Sequence, residues 1–430
     1  MHIVVITLLA ALGMIVLALA LIGALSLTRG TPVQRVGSLG TKDRSTPGDA
    51  MFARALALHT KTPLTEGHHV ELMINGDQTY DRLWEDMRGA TRSLTVQMYY
   101  YQPGRMAETI REILVARVRA GARVLLLHDA FGSSTMPEDY MKGLEAAGVV
   151  VASFRPVKWY ELHKAQHRSH IRVVVVDGAV AWTGGFGIDD KWYGDGRQKD
   201  QWRDSNVRFE GPSVAQLQAT FAAGWAEATG DLLTGETFFP IPDAADGTVC
   251  AGLMHAAPTI GSTAAERFLA LSIAGAERSL FVTNSYFVPD DDFCTLLSDA
   301  AGRGVDVRII TTGRETDVKT TWHAGRARYE DLLLHGVRIF EYRPTMMHAK
   351  TIVVDDVWGG VGTLNFDNRS LAFNDETVLL LNSAETGRRL RQIFEEDLAY
   401  SDEITLESFR RRGIRERLLE RMATSLSRLL

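Results

Sequence analysis

The stretches HIRVVVVD (residues 170–177) and HAKTIVVD (residues 348–355) share one pattern. Each begins with a histidine, has a cation two positions later and ends on an aspartate after an apolar run. Side chains alternate along an extended strand, so the histidine and the cation point the same way while the apolar residues enter the core. The pattern therefore predicts two buried strands that each present an imidazole beside a fixed positive charge.

The segments before these strands also repeat. ATRSL at residues 90–94 and AERSL at residues 276–280 each open an apolar run that ends at or near a proline. Further on, residues 119–130 and 302–313 each follow a helical stretch, and each has the pattern of a glycine turn and then a buried strand. Alternating strands and helices indicate an α/β fold with helices over a largely buried sheet.

The repeat divides the chain into two expected lobes, residues 61–245 and 246–400, each a mostly buried mixed sheet flanked by helices. Residues 31–60 are rich in Gly, Pro, Ser and Thr and are expected to form a linker. Residues 401–430 are expected to form a basic amphipathic tail that lies on an anionic membrane surface, since apolar residues recur every fourth position among arginines. A terminal helix packed on its own lobe is the alternative for this tail.

The first residues predict a membrane anchor. Residues 3–27 carry no charge, and as a helix they would extend roughly 37 Å, enough to cross a bilayer core of about 30 Å. A cleaved signal peptide is the alternative, but its apolar region is usually shorter and follows positive charges. We therefore expect a transmembrane helix within residues 1–30. The basic residues that follow it favour a cytoplasmic location for the rest of the chain; they are Arg29, Arg35, Lys42 and Arg44.

The net charge argues against nucleic acid as a partner. The chain has 430 residues and a formal net charge of -6, so no general basic field is available to hold nucleic acid through counterion release. We expect no nucleic-acid partner, although a local basic groove would still be compatible with the composition. The two cysteines, Cys250 and Cys294, have no zinc-site spacing and allow at most one disulfide.

Two imidazoles and two cations suit phosphodiester chemistry. A neutral imidazole can attack phosphorus, a second can protonate the departing oxygen, and cations can stabilise the non-bridging oxygens. This chemistry requires no metal or other cofactor. A single His-x-Arg before a valine-rich strand is usually structural, but two copies at equivalent places of a duplicated chain favour catalysis.

The doubled motif resembles the signature of the phospholipase D superfamily. Other stretches are similar to the bacterial cardiolipin synthase branch of that superfamily, and the resemblance extends from about residue 70 to the end of the chain. These stretches are DAFGS (residues 129–133), QWRDSNVRFEGP (residues 201–212), TNSYFVPDD (residues 283–291) and GVGTLNFDNRSLAFNDE (residues 360–376). The resemblance implies two phospholipase D-type lobes with the active site at their interface, where both imidazoles face one phosphorus atom.

The resemblance also implies roles for individual residues. His170 would be the nucleophile that forms the phosphoenzyme, and His348 the general acid and then base. Arg172, Lys350 and Asn365 would bind the phosphate oxygens.

Four acidic residues divide into two groups. By resemblance, Asp204 and Glu376 would hydrogen-bond the catalytic imidazoles and fix their tautomers. Asp177 and Asp355 end the two motif strands before turns, where aspartate commonly binds backbone groups. We expect the second group to support the motifs structurally.

The first motif departs from the family pattern at two positions. Arg172 stands where the family has lysine; it keeps the charge but is longer and planar. Gly187 stands where the family has an asparagine, so one expected donor is missing. We expect an active enzyme with altered phosphate geometry.

The resemblance, the anchor and the tail favour a phospholipid substrate. The leading hypothesis is a phosphatidyltransferase of cardiolipin synthase type that acts on phosphatidylglycerol at a cell membrane. A phospholipase D hydrolase, a phosphodiester nuclease and a catalytically weak lipid-binding membrane protein are the alternatives. Oligomeric state is not predicted.

Overall fold

A computed structural model describes residues 11–17, 20, 33, 35–36, 45–156, 167–241, 246–259 and 261–424. Of the predicted anchor at residues 1–30, only residues 11–17 and 20 lie within these ranges, and they are helical. Within the same ranges, no helix combines the length and the apolar character needed to cross a membrane.

The described residues form a mixed α/β fold with two sheets. In chain order the strands are β1 (Thr65–Gly67), β2 (His69–Ile74), β3 (Ser93–Met98), β4 (Arg123–Asp129), β5 (Val150–Phe154), β6 (Val173–Val176), β7 (Val180–Gly184), β8 (Ser205–Glu210), β9 (Gly247–Ala256), β10 (Ser279–Asn284), β11 (Asp306–Thr312), β12 (Arg338–Tyr342), β13 (Lys350–Val354), β14 (Trp358–Gly362), β15 (Glu376–Asn382) and β16 (Ser401–Ile404). The helices are Ala50–Thr60, Asn75–Arg88, Arg105–Arg119, Glu138–Ala146, Ser213–Thr229, Ala264–Gly275, Asp291–Gly302, Lys319–Leu334, Asn368–Ala372, Ala384–Leu398, Leu406–Arg410 and Ile414–Thr424.

The two sheets have the same topology. The first has the order β2-β8-β7-β6-β3-β4-β5, and the second contains β9-β15-β14-β13-β10-β11-β12 with β1 and β16 added at its edges. In each sheet the last three strands of the shared order are parallel and the other pairings are antiparallel. The internal repeat therefore corresponds to a duplicated mixed sheet.

Both faces of each sheet are covered. Val174 and Val176 of β6 pack in a cluster with the helices of the first lobe, whereas Val173 and Val175 belong to a central cluster that includes residues of both sheets. Fully burying one such side chain contributes roughly 1.5–3 kcal/mol. A strand buried on both faces has no polar side, which explains the uninterrupted run of valines.

The segment before the first lobe contacts the second lobe. Within the predicted linker 31–60, the helix Ala50–Thr60 buries Phe52 and Leu56 in the core of the second lobe. Strand β1, which we assigned to the first lobe, pairs with β9 of the second sheet. Composition suggested an open linker, but two apolar residues one helical turn apart give this segment a face to bury.

The predicted tail at residues 401–430 begins as part of the second lobe. Strand β16 pairs with β12, and the helix Ile414–Thr424 packs against the helix Lys319–Leu334. Glu420, buried in that contact, accepts hydrogen bonds from Arg326 at 3.4 Å and Arg412 at 2.8 Å. Ala423 of the same helix packs with Val288 and Ala324, so this part of the tail is attached through both polar and apolar contacts.

Candidate active site

Each lobe supplies a histidine to a pair completed by the other lobe. The segment before β6 lies along the start of β15, and the His170 N–H donates to the Asp375 carbonyl at 3.0 Å. The segment before β13 lies along the start of β8, and the His348 N–H donates to the Arg203 carbonyl at 2.6 Å. The lobes thus exchange equivalent contacts, and both motifs meet at their interface.

These contacts bring each imidazole to a carboxyl group. Nδ1 of His170 lies 3.0 Å from both Oε atoms of Glu376, and Nδ1 of His348 lies 2.8 Å from Oδ2 of Asp204. All four side chains are buried. Because Nδ1 is engaged in each ring, Nε2 is the nitrogen left for a substrate.

Hydroxyl and amide groups surround Glu376. Thr363 and Ser370 donate to its carboxyl oxygens, Ser370 at 2.7 Å, and the Asn374 amide lies at 3.5 Å. Burial nevertheless dominates and raises the pKa of Glu376 to about 8. This carboxyl group therefore keeps its proton at neutral pH.

The carboxyl group of Asp204 is in a different protonation state. The indole Nε1–H of Trp192 donates to Oδ2 at 2.8 Å, and the Ser205 N–H donates to Oδ1 at 2.8 Å. Burial alone would raise the pKa of Asp204, but His348 and Lys350 outweigh it and the pKa is lowered. This carboxylate is therefore ionised.

The two motif cations occupy equivalent positions. Arg172 donates from Nη1 to the His170 carbonyl at 2.6 Å, and Lys350 donates from Nζ to the His348 carbonyl and to Ser285 Oγ at 2.7 Å. Burial lowers the pKa of Lys350 to about 7.

Burial, reinforced by the two cations, also lowers the pKa of both imidazoles, that of His348 to about 3. The site therefore presents neutral imidazoles beside positive charge, an arrangement that suits an anionic phosphodiester.

The structure explains the missing asparagine of the first motif. A Cβ atom on Gly187 would lie 3.1 Å from the Trp192 indole and 3.3 Å from Cβ of Tyr100. The indole thus takes the space that a longer side chain would need. In the second motif Asn365 is buried, and its Oδ1 has no hydrogen-bond partner among the described residues.

The motif aspartates face the backbone of their own lobes. The Asp177 carboxylate accepts the N–H groups of residues 91–93 at 2.7–3.1 Å. The Asp355 carboxylate accepts those of residues 277–279 at 2.7–3.0 Å. Each therefore ties the turn after its motif strand to the start of the neighbouring strand.

Several site residues were not identified from the sequence. Ser285 and Thr363 lie within stretches that carried the family resemblance, so proximity to the motifs could have indicated them. Trp202 also lies within such a stretch, and its ring centroid lies 5.0 Å from that of His348. Trp192 had no sequence signal, because its contact with Asp204 depends on the fold of residues between the motifs.

No metal-binding cluster is present among the described residues: none of their His, Cys, Asp and Glu side chains form a group of three or more that could hold an ion. Both cysteines are free thiols. The donor groups of the site are instead cationic and amide groups, which bind anions.

Sequence comparisons relate this chain to cardiolipin synthases. The family model described as "Cardiolipin synthase, PLD-like domain" matches residues 269–398. Cardiolipin synthase of Geobacillus kaustophilus is 31% identical over 370 residues, which are 86% of this chain and 74% of that protein. Cardiolipin synthase 1 of Bacillus cereus is 29% identical over 377 residues, with the same shares covered.

Two solved structures share the fold. Phosphatidylserine synthase of Haemophilus influenzae matches with a TM-score of 0.64 at 12% identity, covering 89% of this chain and 98% of that one. Polyphosphate kinase of Porphyromonas gingivalis matches with a TM-score of 0.54 at 12% identity, covering 84% of this chain and 53% of that one. The sequence relatives establish that the chain belongs to the cardiolipin synthase family of phospholipase D-type phosphatidyl-transferring enzymes.

Proposed function

We propose that this enzyme joins two phosphatidylglycerol molecules into cardiolipin, with release of glycerol, through a covalent phosphohistidine. The observation that carries this proposal is the reciprocal exchange of histidine and carboxyl groups between the lobes. It leaves Nε2 of both imidazoles free in one buried site that also holds two cations. The family relationship supplies the lipid substrate class.

In the first half-reaction, Nε2 of His170 attacks the phosphorus of one phosphatidylglycerol. A P–N bond forms and the P–O bond to the glycerol headgroup breaks, while His348 gives a proton to the departing oxygen. Arg172, Lys350 and Asn365 bind the non-bridging oxygens. Binding of the anionic phosphodiester raises the pKa of His348, which lets this buried imidazole take up the proton that it later donates.

In the second half-reaction, a glycerol hydroxyl of another phosphatidylglycerol loses its proton to His348 and attacks phosphorus. The P–N bond breaks and cardiolipin is released. If water takes the place of the hydroxyl, the product is phosphatidic acid, so transfer and hydrolysis share every residue named here.

The decisive test is to incubate purified protein with vesicles of phosphatidylglycerol and to identify the products by mass spectrometry. We expect cardiolipin and glycerol in equal amounts. Phosphatidic acid without cardiolipin would replace the synthase proposal with a hydrolase, and no turnover of phosphatidylglycerol would reject both. His69→Ala, at an exposed histidine paired with Asp246, is the matched control for His170→Ala and His348→Ala.

We further propose that the enzyme is anchored by residues 1–30 with its lobes in the cytoplasm, and that the helix Ile414–Thr424 rests on the membrane. Its outward apolar residues are exposed: Ile414 by 77%, Leu418 by 54% and Met422 by 68%. Exposed arginines at 415, 417 and 421 flank them, which suits an anionic lipid surface. This is the opposite face to the one held by Glu420.

A nitroxide probe on Leu418→Cys tests the membrane contact in full-length protein carrying C250S and C294S. In phosphatidylglycerol vesicles we expect the probe to collide more with lipid-soluble oxygen than with a water-soluble nickel complex. A probe on Leu232→Cys, which replaces a side chain 74% exposed, is the comparison. Equal water accessibility at both positions would reject this surface, and protease protection of the lobes in inside-out membrane vesicles would reject the cytoplasmic location.

A further inference from the structure

Beside the active site, the rings of Tyr100, Trp192 and Trp202 form an aromatic cage around the ammonium group of Lys191. Nζ of Lys191 lies 4.1 Å from the ring centroid of Tyr100, 4.1 Å from that of Trp202 and 5.0 Å from that of Trp192. It also donates a hydrogen bond to Tyr100 Oη at 2.9 Å. Rings around an ammonium at these distances are the means by which proteins bind ammonium ligands.

The walls of this cage are also walls of the catalytic site. The Trp202 ring lies 5.0 Å from the His348 imidazole at an interplanar angle of 37°, and the Trp192 ring lies 5.2 Å from it, edge to face. Trp192 also donates to Asp204, the carboxylate bonded to His348. The cage therefore adjoins the imidazole that protonates the leaving headgroup, rather than His170.

The backbone fixes Lys191 on both sides, and its side chain stays accessible. Its N–H donates to the Asp189 carboxylate at 3.0 Å, and its carbonyl accepts the Trp202 N–H at 2.7 Å. The side chain is 25% exposed, and Nζ lies 3.6 Å from Asp189 Oδ2. The alternative is that Lys191 merely packs on aromatic rings at the surface. That would explain the cation–ring contacts, but not why two of these rings also lie against His348.

We propose that Lys191 determines headgroup specificity. Its ammonium occupies the place that the ammonium of an ethanolamine or choline headgroup would take, and its charge repels such headgroups. Uncharged glycerol meets no such repulsion, and its hydroxyls can hydrogen-bond to Lys191 and Tyr100. This inference rests on the proposed role of His348, because that role places the leaving headgroup at the cage.

Replacing Lys191 by alanine empties the cage. In vesicles with equal amounts of phosphatidylglycerol and phosphatidylethanolamine, we expect the original enzyme to release glycerol. For Lys191→Ala we expect the ratio of released ethanolamine to glycerol to rise at least about tenfold, since the rings become available to the substrate ammonium. An unchanged ratio would overturn the proposal.

Three further variants separate charge from occupancy. Lys191→Arg keeps the charge and should keep the original ratio. Lys191→Met fills the cage without charge and should give a smaller rise than Lys191→Ala. Lys199→Ala, at a lysine 79% exposed and paired with Glu315, should match the original enzyme. A rise in Lys199→Ala equal to that in Lys191→Ala would overturn the assignment to the cage.

A binding measurement decides the inference even if no variant turns over lipid. Tetramethylammonium, titrated into lipid-free protein, should quench tryptophan fluorescence in Lys191→Ala at concentrations at least about tenfold lower than in the original protein. Equal quenching in the two proteins would overturn the cage. Failure of the original enzyme to turn over phosphatidylglycerol would instead reject the proposed function and leave this titration interpretable.

Discussion

The two histidine–carboxyl pairs occupy equivalent places in the repeat but differ in the protonation state of the carboxyl group. Gly184 pairs with Asn206 in the first sheet as Gly362 pairs with Val378 in the second, which makes Asp204 the equivalent of Glu376. Asp204 is ionised, whereas Glu376 keeps its proton to about pH 8.

The residues around the two acids account for part of this difference. Gly185 gives Asp204 room, since a Cβ there would lie 2.1 Å from Oδ1. The equivalent residue in the second lobe is Thr363, whose hydroxyl donates to Glu376 and lowers its pKa without overcoming the effect of burial. His348 and Lys350 lower the pKa of Asp204 against the effect of burial, whereas at Glu376 burial prevails over the hydrogen bonds and charges that lower its pKa.

The difference bears on the roles of the histidines. An ionised carboxylate stabilises an imidazolium more than a protonated carboxyl group does. His348, paired with ionised Asp204, is therefore the better proton carrier, and His170 is suited to remain neutral and attack phosphorus. The family resemblance implies this order, and we propose the unequal acids as its physical reason.

The largest expected effect separates the two histidines. His170→Ala should lower phosphatidyl transfer by at least about 10⁴-fold, and His348→Ala by about 10²–10⁴-fold, the usual range for a general acid. A phosphatidyl ester of p-nitrophenol, measured by release of nitrophenolate, needs no proton on its leaving group. It should restore cleavage in His348→Ala only, and restoration in His170→Ala instead would exchange the roles.

Replacing the two acids should lower kcat unequally, with the larger loss at Asp204. Near pH 7 we expect Asp204→Asn to lower kcat by about 10²-fold, because the imidazolium of His348 loses its counter-charge. Glu376→Gln should cost only about tenfold, since an amide replaces a carboxyl group that is already uncharged. Steady-state transfer rates check both values. Equal losses would mean that Glu376 works in the ionised form.

The cations should differ in pH dependence. Because the pKa of Lys350 is about 7, raising the pH through this value removes its charge, and kcat/KM for phosphatidylglycerol should fall. Lys350→Arg should move this fall to higher pH, at a loss of about tenfold at pH 6 because a planar guanidinium replaces the compact ammonium. Rate profiles between pH 5 and pH 10 measure the shift. An unchanged alkaline limb would assign it to another group.

The smallest effect concerns the space at Gly187. Gly187→Asn should lower the free energy of unfolding by about 1–3 kcal/mol, because the added side chain must displace the Trp192 indole. Thermal unfolding followed by circular dichroism measures this, and Trp192→Leu in the same chain should recover part of the loss. Gly143→Asn, where a Cβ meets no atom within 4 Å, is the control. Equal changes at both glycines would show that Trp192 does not limit the space.

Local pattern predicted much of the fold and part of the site. Valine-rich runs after each histidine indicated strands buried on both faces, and β6 and β13 lie in the middle of their sheets. Motif spacing predicted His170 and His348 as site residues, each with the cation two positions later. The helix Ala50–Thr60 was missed because its two buried residues lie in a segment of linker-like composition, and only the second lobe offers the surface that they cover.

By itself the sequence determined the duplicated α/β lobes and the two histidine motifs, because strand burial and motif spacing are local properties, and its resemblance to known stretches indicated the family. Only the tertiary structure decided which carboxyl group meets which imidazole, which acid keeps its proton, and that Trp192 and Lys191 lie beside His348. Those relations join residues far apart in the chain, and they depend on burial and on the summed field of groups that meet only when the lobes pack together.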